Sequence, residues 1–409
     1  MGIIATYKCR WWIEKETTEH SEDSSIVAGI AGSPEMQEGN EIKESQDIVS
    51  QKEKLVSSKN LTGCQVSQSS SEACDQTQRQ STVRRFRNVV GLNNMGCTCY
   101  FNALLQTLLL APEFTCLLKR WDQMNLTSHG SSLPRELYRL FHQMETTEQT
   151  AVNPVKVLLC LFPNLRKANI QQDAGELFHT LFNLLLDQLH DPQISAEMKA
   201  LYEIRVEQFV KCQVCGVVSE KQSRMISLPL QVPENHPHLN LEKSLKMFFQ
   251  PQNLTQRNAC FCWKCEKRTA TLQGFKLFSL PSIVNFHLNR FCHRLDGFTR
   301  KINSTLEFDE ILDLSKFPIS EKVLSQRKSQ SYWLYELFAV IVHMGSANFG
   351  HYIAYVKYFE DKKWYLIDDS SVHSVQWEAV KETFGSKRGQ TAYLLLYRKA
   401  EQDAGANTH

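Results

Sequence analysis

The run Gly91-Leu92-Asn93-Asn94-Met95-Gly96-Cys97-Thr98-Cys99-Tyr100-Phe101-Asn102-Ala103-Leu104-Leu105-Gln106 carries a glycine-punctuated turn into an apolar helix, and it does so at a cysteine. Ala103, Leu104, Leu105, Leu108 and Leu109 recur at roughly a 3.6-residue period, and Pro112 ends the stripe. A thiol on the first turn of such a helix sits beside the positive end of the macrodipole and beside unpaired N–H groups, both of which favour the thiolate. Free cysteine titrates at about 8.5, so this placement, with a base nearby, makes a nucleophile usable at neutral pH. A small buried cysteine in a helix cap would read the same way. What decides between the two lies far downstream.

Tyr335-Glu336-Leu337-Phe338-Ala339-Val340-Ile341-Val342-His343 is dense in β-branched and aromatic residues and predicts a buried strand. A loop of small residues follows, Met344 to Gly350, and then His351-Tyr352-Ile353-Ala354-Tyr355-Val356 predicts a second strand with an imidazole at its mouth. A third strand, Lys363 to Ile367, ends at Asp368-Asp369. Antiparallel neighbours of this kind can set the His351 ring against the Asp368 carboxylate, which would fix its tautomer and stabilise the imidazolium. A lone histidine on a strand is usually structural. Here Gly350 permits close backbone approach, a carboxylate pair closes the next strand, and a helix-capping cysteine exists upstream. Together they form a Cys/His/Asp set.

Two further cysteine pairs, Cys212-Gln213-Val214-Cys215 and Cys262-Trp263-Lys264-Cys265, are C-x-x-C knuckles. Four thiolates so paired match a closed, structural tetrahedral zinc site. Cys260, just outside the second knuckle, is a spare that could exchange with Cys262. The expected role is scaffolding, because a small two-stranded extension buries too little apolar surface to stay folded without a metal.

With 22% charged residues and a net charge of +2, the chain makes no electrostatic case for nucleic acid. Its 13 cysteines, several in catalytic or metal spacing, argue for a reducing compartment, and the expected address is cytosol with nucleus as a second location. No signal peptide is visible, and the longest apolar run, around Ala103 to Ala111, is too short to span a bilayer. Residues 1–85 are expected to be a disordered extension, since the Ser, Glu, Gln, Lys and Thr that crowd most of them cannot bury enough surface to offset chain entropy. Met1-Gly2-Ile3-Ile4-Ala5-Thr6 fits a loose myristoylation pattern, with Cys9 as a second acylation position. The stretch 86–399 is expected to form one catalytic domain, with a flexible tail at 400–409. Residues 100 to 205 predict mainly helices, the clearest from Glu176 to His190; strands dominate from about 206, and polar residues 320 to 332 predict an exposed loop. A monomer is expected.

Gly91 to Gln106 resembles the cysteine box of the ubiquitin-specific proteases, Tyr335 to Asp369 resembles their histidine box, and Gln171-Gln172-Asp173-Ala174-Gly175-Glu176-Leu177 resembles the glutamine–aspartate box between them. The resemblance covers about residues 88 to 399. It implies an α+β, papain-like cysteine protease fold, with a helical thumb (about 88–205), a β-sheet palm and zinc-bearing fingers (about 206–399). By position it implies Cys99 as nucleophile, His351 as general base, Asp368 as orienting acid and Asn94 as oxyanion-hole amide, with Asp369 as a supporting acid. Asp173 and Glu176 fall where the family contacts the Arg-containing tail of its modifier, although helix capping accounts for them equally well. Gly350 and Tyr352 join them as expected tail-binding residues. Cys212, Cys215, Cys262 and Cys265 would hold a structural Zn2+ in the fingers, and catalysis would need no cofactor. Two positions depart from the family, which has Asn at Cys97 and His at Gly175; Cys97 is thereby a rival nucleophile. The implied activity is thiol-dependent isopeptide cleavage after the C-terminal Gly-Gly of a ubiquitin-like modifier. Phe248-Phe249-Gln250-Pro251-Gln252, Cys260-Phe261-Cys262 and Tyr335 to His343 most resemble the branch that removes the interferon-stimulated, two-domain modifier. That branch implies type I interferon signalling partners: a receptor subunit and a signal-transducing transcription factor. General deubiquitination and a non-catalytic binding scaffold are the competing readings.

Overall fold

In the computed structural model, the described residues are 89–125, 130–163, 171–234, 236, 238–293, 297–326, 330–385 and 389–400. The expected N-terminal extension, its acylation pattern at Gly2 and Cys9, and the tail beyond residue 400 lie outside them.

The stretch expected to form the thumb is helical. Helix α1 (Cys99–Leu109) is buried along almost its whole length, and α2 (Pro112–Met124) follows at an angle of 87°. Pro112 therefore does more than stop α1. At the first position of α2 its missing N–H would have been unpaired anyway, and its fixed φ suits a helix start. Helices α3 (Leu133–Thr146), α4 (Val155–Leu161), α5 (Ala174–Gln188) and α6 (Pro192–Tyr202) complete the lobe, with the short parallel pair β1 (Gly91–Leu92) and β2 (Ala151–Val152) beside them. Helix α5 starts and ends two residues earlier than the apolar pattern predicts. Asp173 sets the start by capping: its Oδ1 accepts the N–H groups of Gly175 (2.8 Å) and Glu176 (2.9 Å). Tyr202, from α6, is ringed edge-on by Phe178, Phe182 and Phe114 at 5.4–6.4 Å between centroids.

Strands β3 (Ile204–Cys212) and β4 (Val218–Met225) lead out along the fingers, while β5 (Leu228–Gln231) returns to the palm. After α7 (Leu241–Phe249), β6 (Gln252–Leu254), a small hairpin of β7 (Cys260–Cys262) and β8 (Lys267–Thr269), and β9 (Thr271–Ser279) complete the lobe. The finger sheet runs β4-β3-β9-β6.

The palm contains β10 (Ile283–Asn289), the hairpin β11 (Phe291–His293) with β12 (Thr299–Lys301), β13 (Ile311–Asp313), β14 (Leu334–Gly345), β15 (Gly350–Lys357), β16 (Trp364–Asp368), β17 (Ser371–Val375) and β18 (Gln390–Lys399). Its main sheet is ordered β17-β16-β15-β14-β18-β10-β5, with β13 on β14. Strand β14 is apolar at nearly every position because both its faces are covered. Ala339 and Ile341 join the core shared with the thumb, whereas Val340 and Val342 join the core toward the fingers. A register shift between Leu337 and Ala339 puts Phe338 on the thumb side as well. The expected loop at 320 to 332 instead holds a short helix, Glu321–Leu324, anchored by buried Val323.

Candidate active site

Cys99 is the first residue of α1 and is only 4% exposed. The turn before it is tied by Asn94, whose Oδ1 accepts from Gly96 N (3.0 Å), Thr98 N (3.3 Å) and Thr98 Oγ1 (3.2 Å). Thr98 Oγ1 in turn accepts the N–H of Met95 at 2.9 Å. This knot turns Cys97 outward to solvent and Cys99 inward toward the palm, because two residues on opposite sides of Thr98 cannot share one helix-start position.

His351 is the second residue of β15, opposite Met344 of β14. Its Nε2 lies 2.6 Å from Oδ1 of Asp368, the last residue of β16. With Nε2 taken, Nδ1 is the nitrogen left for the thiol. Hydrogen bonding to the Cys99 side chain is the main reason the imidazole is pushed up to about 9; partial burial opposes the rise and the Asp368 contact adds to it. The His351 and Asp368 side chains are 34% and 46% exposed, so the pair remains open to a substrate.

Asp369 brings a carboxylate oxygen within 4.8 Å of His351 and Asp368 but hydrogen-bonds to other partners. Its φ of 51° lies in the left-handed region and turns the chain, so that consecutive carboxylates meet different partners. Oδ1 accepts the amide of Asn102 and Oδ2 that of Asn94, both at 2.7 Å, while the Asp369 carbonyl accepts Leu92 N at 2.9 Å. Asn94 thus spends one N–H on Asp369 and retains the other. Asp369 links helix α1, the turn and the palm, an arrangement compatible with the supporting part expected of it. Asn102 was missed in the sequence; its signal was a polar residue within an apolar helix that the structure buries to 2% exposure.

The glutamine–aspartate segment lies beside the histidine strand. Gln171 accepts the N–H of Gly350 through Oε1 (3.1 Å) and donates its amide to the Gly350 carbonyl. Asp173 uses Oδ1 for the α5 cap, and its Oδ2 accepts the Tyr393 hydroxyl, which also meets His287 Nε2 at 2.7 Å. His287 explains the departure at Gly175: a Cβ there would come within 2.9 Å of the His287 ring, so this strand histidine fills the space a side chain at 175 would need. Glu176 is exposed at the start of α5. The other two expected tail-binding residues are Tyr352 and Gly350. Tyr352 is 3% exposed, packed against His343 and Tyr393, and offers no open face. The backbone N–H and C=O of Gly350 are already paired with Gln171. Glycine is required there because a Cβ would sit 2.1 Å from His343 Nε2. The hairpin that carries Gly350 is further held by buried Lys301, whose ammonium donates to the carbonyls of His343 (2.8 Å), Gly345 (3.2 Å) and Gly389 (2.8 Å).

At the fingertip, Cys212, Cys215, Cys262 and Cys265 bring their sulfurs within 4.8 Å of one another, with Cys215 and Cys262 3.6 Å apart and Cys212 and Cys265 4.0 Å apart. Tetrahedral ligation with metal–sulfur bonds of about 2.3 Å needs sulfurs about 3.8 Å apart, so the set fits one metal ion. Cys260 stays outside it, beside the Asn258 carbonyl.

A thiol on the helical lobe, facing an imidazole and carboxylate on the β lobe, defines a cysteine hydrolase. A family model, ubiquitin carboxyl-terminal hydrolase, matches residues 90–397, and the chain belongs to that family. It is 37% identical over 323 residues to Ubl carboxyl-terminal hydrolase 18 of Homo sapiens, covering 76% of this chain and 86% of the human protein. The Mus musculus protein of the same name is 36% identical over 317 residues, with the same coverage. Ubiquitin carboxyl-terminal hydrolase 47 of Xenopus tropicalis is 28% identical over 374 residues, 76% of this chain but 28% of that protein. The α+β fold class and the thiol-hydrolase class read from the sequence hold: this is a cysteine-type protease of ubiquitin-like modifiers.

Proposed function

We propose that the chain cleaves the isopeptide bond after the C-terminal Gly-Gly of a ubiquitin-like modifier, with Cys99 as nucleophile, His351 as acid and base, Asp368 as its orienting group and Asn94 as oxyanion donor. The observation that carries this reading is the His351 imidazole, shared between the Cys99 thiol and the Asp368 carboxylate. Cys99 Sγ gives up its proton to His351 and attacks the carbonyl carbon of the terminal glycine. The free N–H of Asn94 takes up the negative charge on the carbonyl oxygen. Collapse breaks the C–N bond as imidazolium passes its proton to the departing lysine amine, leaving a thioester on Cys99. Water then attacks the thioester, His351 takes its proton, and the thiol and the modifier's free carboxylate are released. Asp369 holds Asn94 and Asn102 throughout, and exposed Glu176, with Asp173 behind it, offers negative charge to a cationic modifier tail.

The modifier is proposed to be the interferon-stimulated two-domain ubiquitin-like protein, with the interferon receptor subunit and transcription factor as binding partners in cytosol and nucleus. The fingers and palm stretches quoted above and the 37% identity to a Ubl hydrolase support that choice. Zn2+ is the ion proposed for the four fingertip cysteines; when bound it would offset half the charge of four thiolate ligands and clamp β3 to the β7–β8 hairpin.

Parallel labelling with C-terminal electrophilic probes of ubiquitin and of the interferon-stimulated modifier tests the proposal. Faster reaction with the latter, abolished by Cys99→Ala, is expected. Equal rates would make the chain a general deubiquitinase, and labelling that survives Cys99→Ala would remove Cys99 from its role.

A further inference from the structure

We propose that Gln171 is a positioning residue for the base: its carboxamide pairs with both backbone polar groups of Gly350 and so holds His351 in register with Cys99. The inference rests on the catalytic roles proposed above and adds a residue to them.

The contact is two-sided. Gln171 Oε1 accepts the Gly350 N–H at 3.1 Å, and Gln171 Nε2 donates to the Gly350 carbonyl. A primary carboxamide presents one donor and one acceptor on the same edge, as a peptide group does, so it can stand in for a missing strand neighbour. Among the described residues such a neighbour is missing here. Strand β15 pairs with β14 as far as Gly350, but β16 pairs with β15 only from Ala354 to Lys357. The outer edge of β15 near His351 therefore has no ladder partner, and a side chain from the thumb supplies one.

Both ends of this clamp are fixed. On one side, Gln171 precedes by two residues the Asp173 cap of α5, itself anchored to palm Tyr393. On the other, Gly350 lies against the ring of His343 so closely that no Cβ fits. Gly350 has little freedom to move except along the strand, and that is the direction in which paired N–H and C=O bonds resist displacement. The next residue is His351, whose ring must serve Asp368 at 2.6 Å and Cys99 together. A slip of the strand mouth would break one contact or the other.

The test compares Gln171→Ala and Gln171→Met, the second keeping length without hydrogen bonds, with the wild-type full chain. Cys99 alkylation by chloroacetamide across pH needs no modifier. Turnover of an isopeptide-linked substrate separates kcat from KM, and thermal unfolding reports structure. Expected are about tenfold slower alkylation and kcat at neutral pH, the scale of lost neutral hydrogen bonds, with KM held within twofold and Tm nearly unchanged. The descending alkaline limb of turnover, which depends on the imidazolium, should also move to lower pH. Wild-type alkylation and kcat in either variant would overturn the proposal, as would a rise in KM alone, which would make Gln171 a tail-binding residue. If neither variant folds, Gln171 is structural and the proposal fails. If the wild-type chain itself shows no His351-dependent alkylation, the fault lies with the catalytic roles and not with Gln171 alone.

Discussion

The Asn102 amide, one turn into α1, donates to the Asp369 carboxylate at 2.7 Å and ties the helix that carries Cys99 to the strand end that carries Asp368. This bond crosses from one lobe to the other close to the reacting groups. The same carboxylate holds Asn94 through its second oxygen.

Asp369→Ala is therefore expected to act twice. It leaves the buried Asn102 amide without its best acceptor, at a cost of about 1–3 kcal/mol, and it frees Asn94 to rotate away from the oxyanion. The expected loss in kcat lies between that of Asp368→Ala and wild type, with Asn94→Ala alone losing on the order of 10²-fold. Steady-state kinetics with denaturant unfolding of each variant checks this; an Asp369→Ala enzyme with normal kcat would restrict Asp369 to stability.

The pH dependence follows from His351. Its folded value, about 9, lies above its ordinary 6.5, so the stabilisation that comes with its protonation is complete below 6.5 and is lost as pH rises through about 9. Activity should follow, because the imidazolium donates the proton to the leaving amine. The alkaline limb of kcat/KM is expected at about pH 9, and in Asp368→Asn it should move down as one raising interaction is lost. A limb that ignored Asp368→Asn would separate this carboxylate from the base.

Gly350→Ala tests the packing of the strand mouth. The added methyl would meet His343 Nε2 at 2.1 Å and the Met344 carbonyl at 2.6 Å, so the hairpin must shift. Overpacking of this kind costs about 1–3 kcal/mol, and the displacement should also abolish most activity by moving His351. Chemical denaturation and single-turnover assays would reveal it.

Metal removal should act on the fingers. The β7–β8 hairpin is short, with Phe261 and Trp263 exposed at 65% and 69%, so little apolar burial holds it without an ion. Elemental analysis is expected to find about one zinc per chain, and chelation to lower Tm by several degrees. Alkylation of Cys99, far along the fold, should persist. Chelation without effect, on a chain free of zinc, would remove the metal from the proposal.

Much of the site was legible because its chemistry sits in short contiguous runs. Cys99 opens a helix, His351 opens a strand and Asp368 closes one, each marked by turn residues and a change of hydrophobic period. The two C-x-x-C pairs were legible for the same reason, and the cluster they form excludes Cys260. Helix α5 was legible in its stripe, and Asp173 was legible as a cap or a tail contact alike; which of the two its Oδ1 serves depends on one side chain's rotamer rather than on periodicity.

What the chain determined by itself were these local units, because helix period, strand density and knuckle spacing depend on neighbours a few residues apart. Tertiary structure alone decided how they meet. It placed Asp369 between Asn94 and Asn102, paired Gln171 with Gly350, buried Tyr352, and let His287 occupy the space beside Gly175. Each is a contact between residues far apart along the chain, where hydrogen-bond geometry and excluded volume, and not local pattern, select the partner.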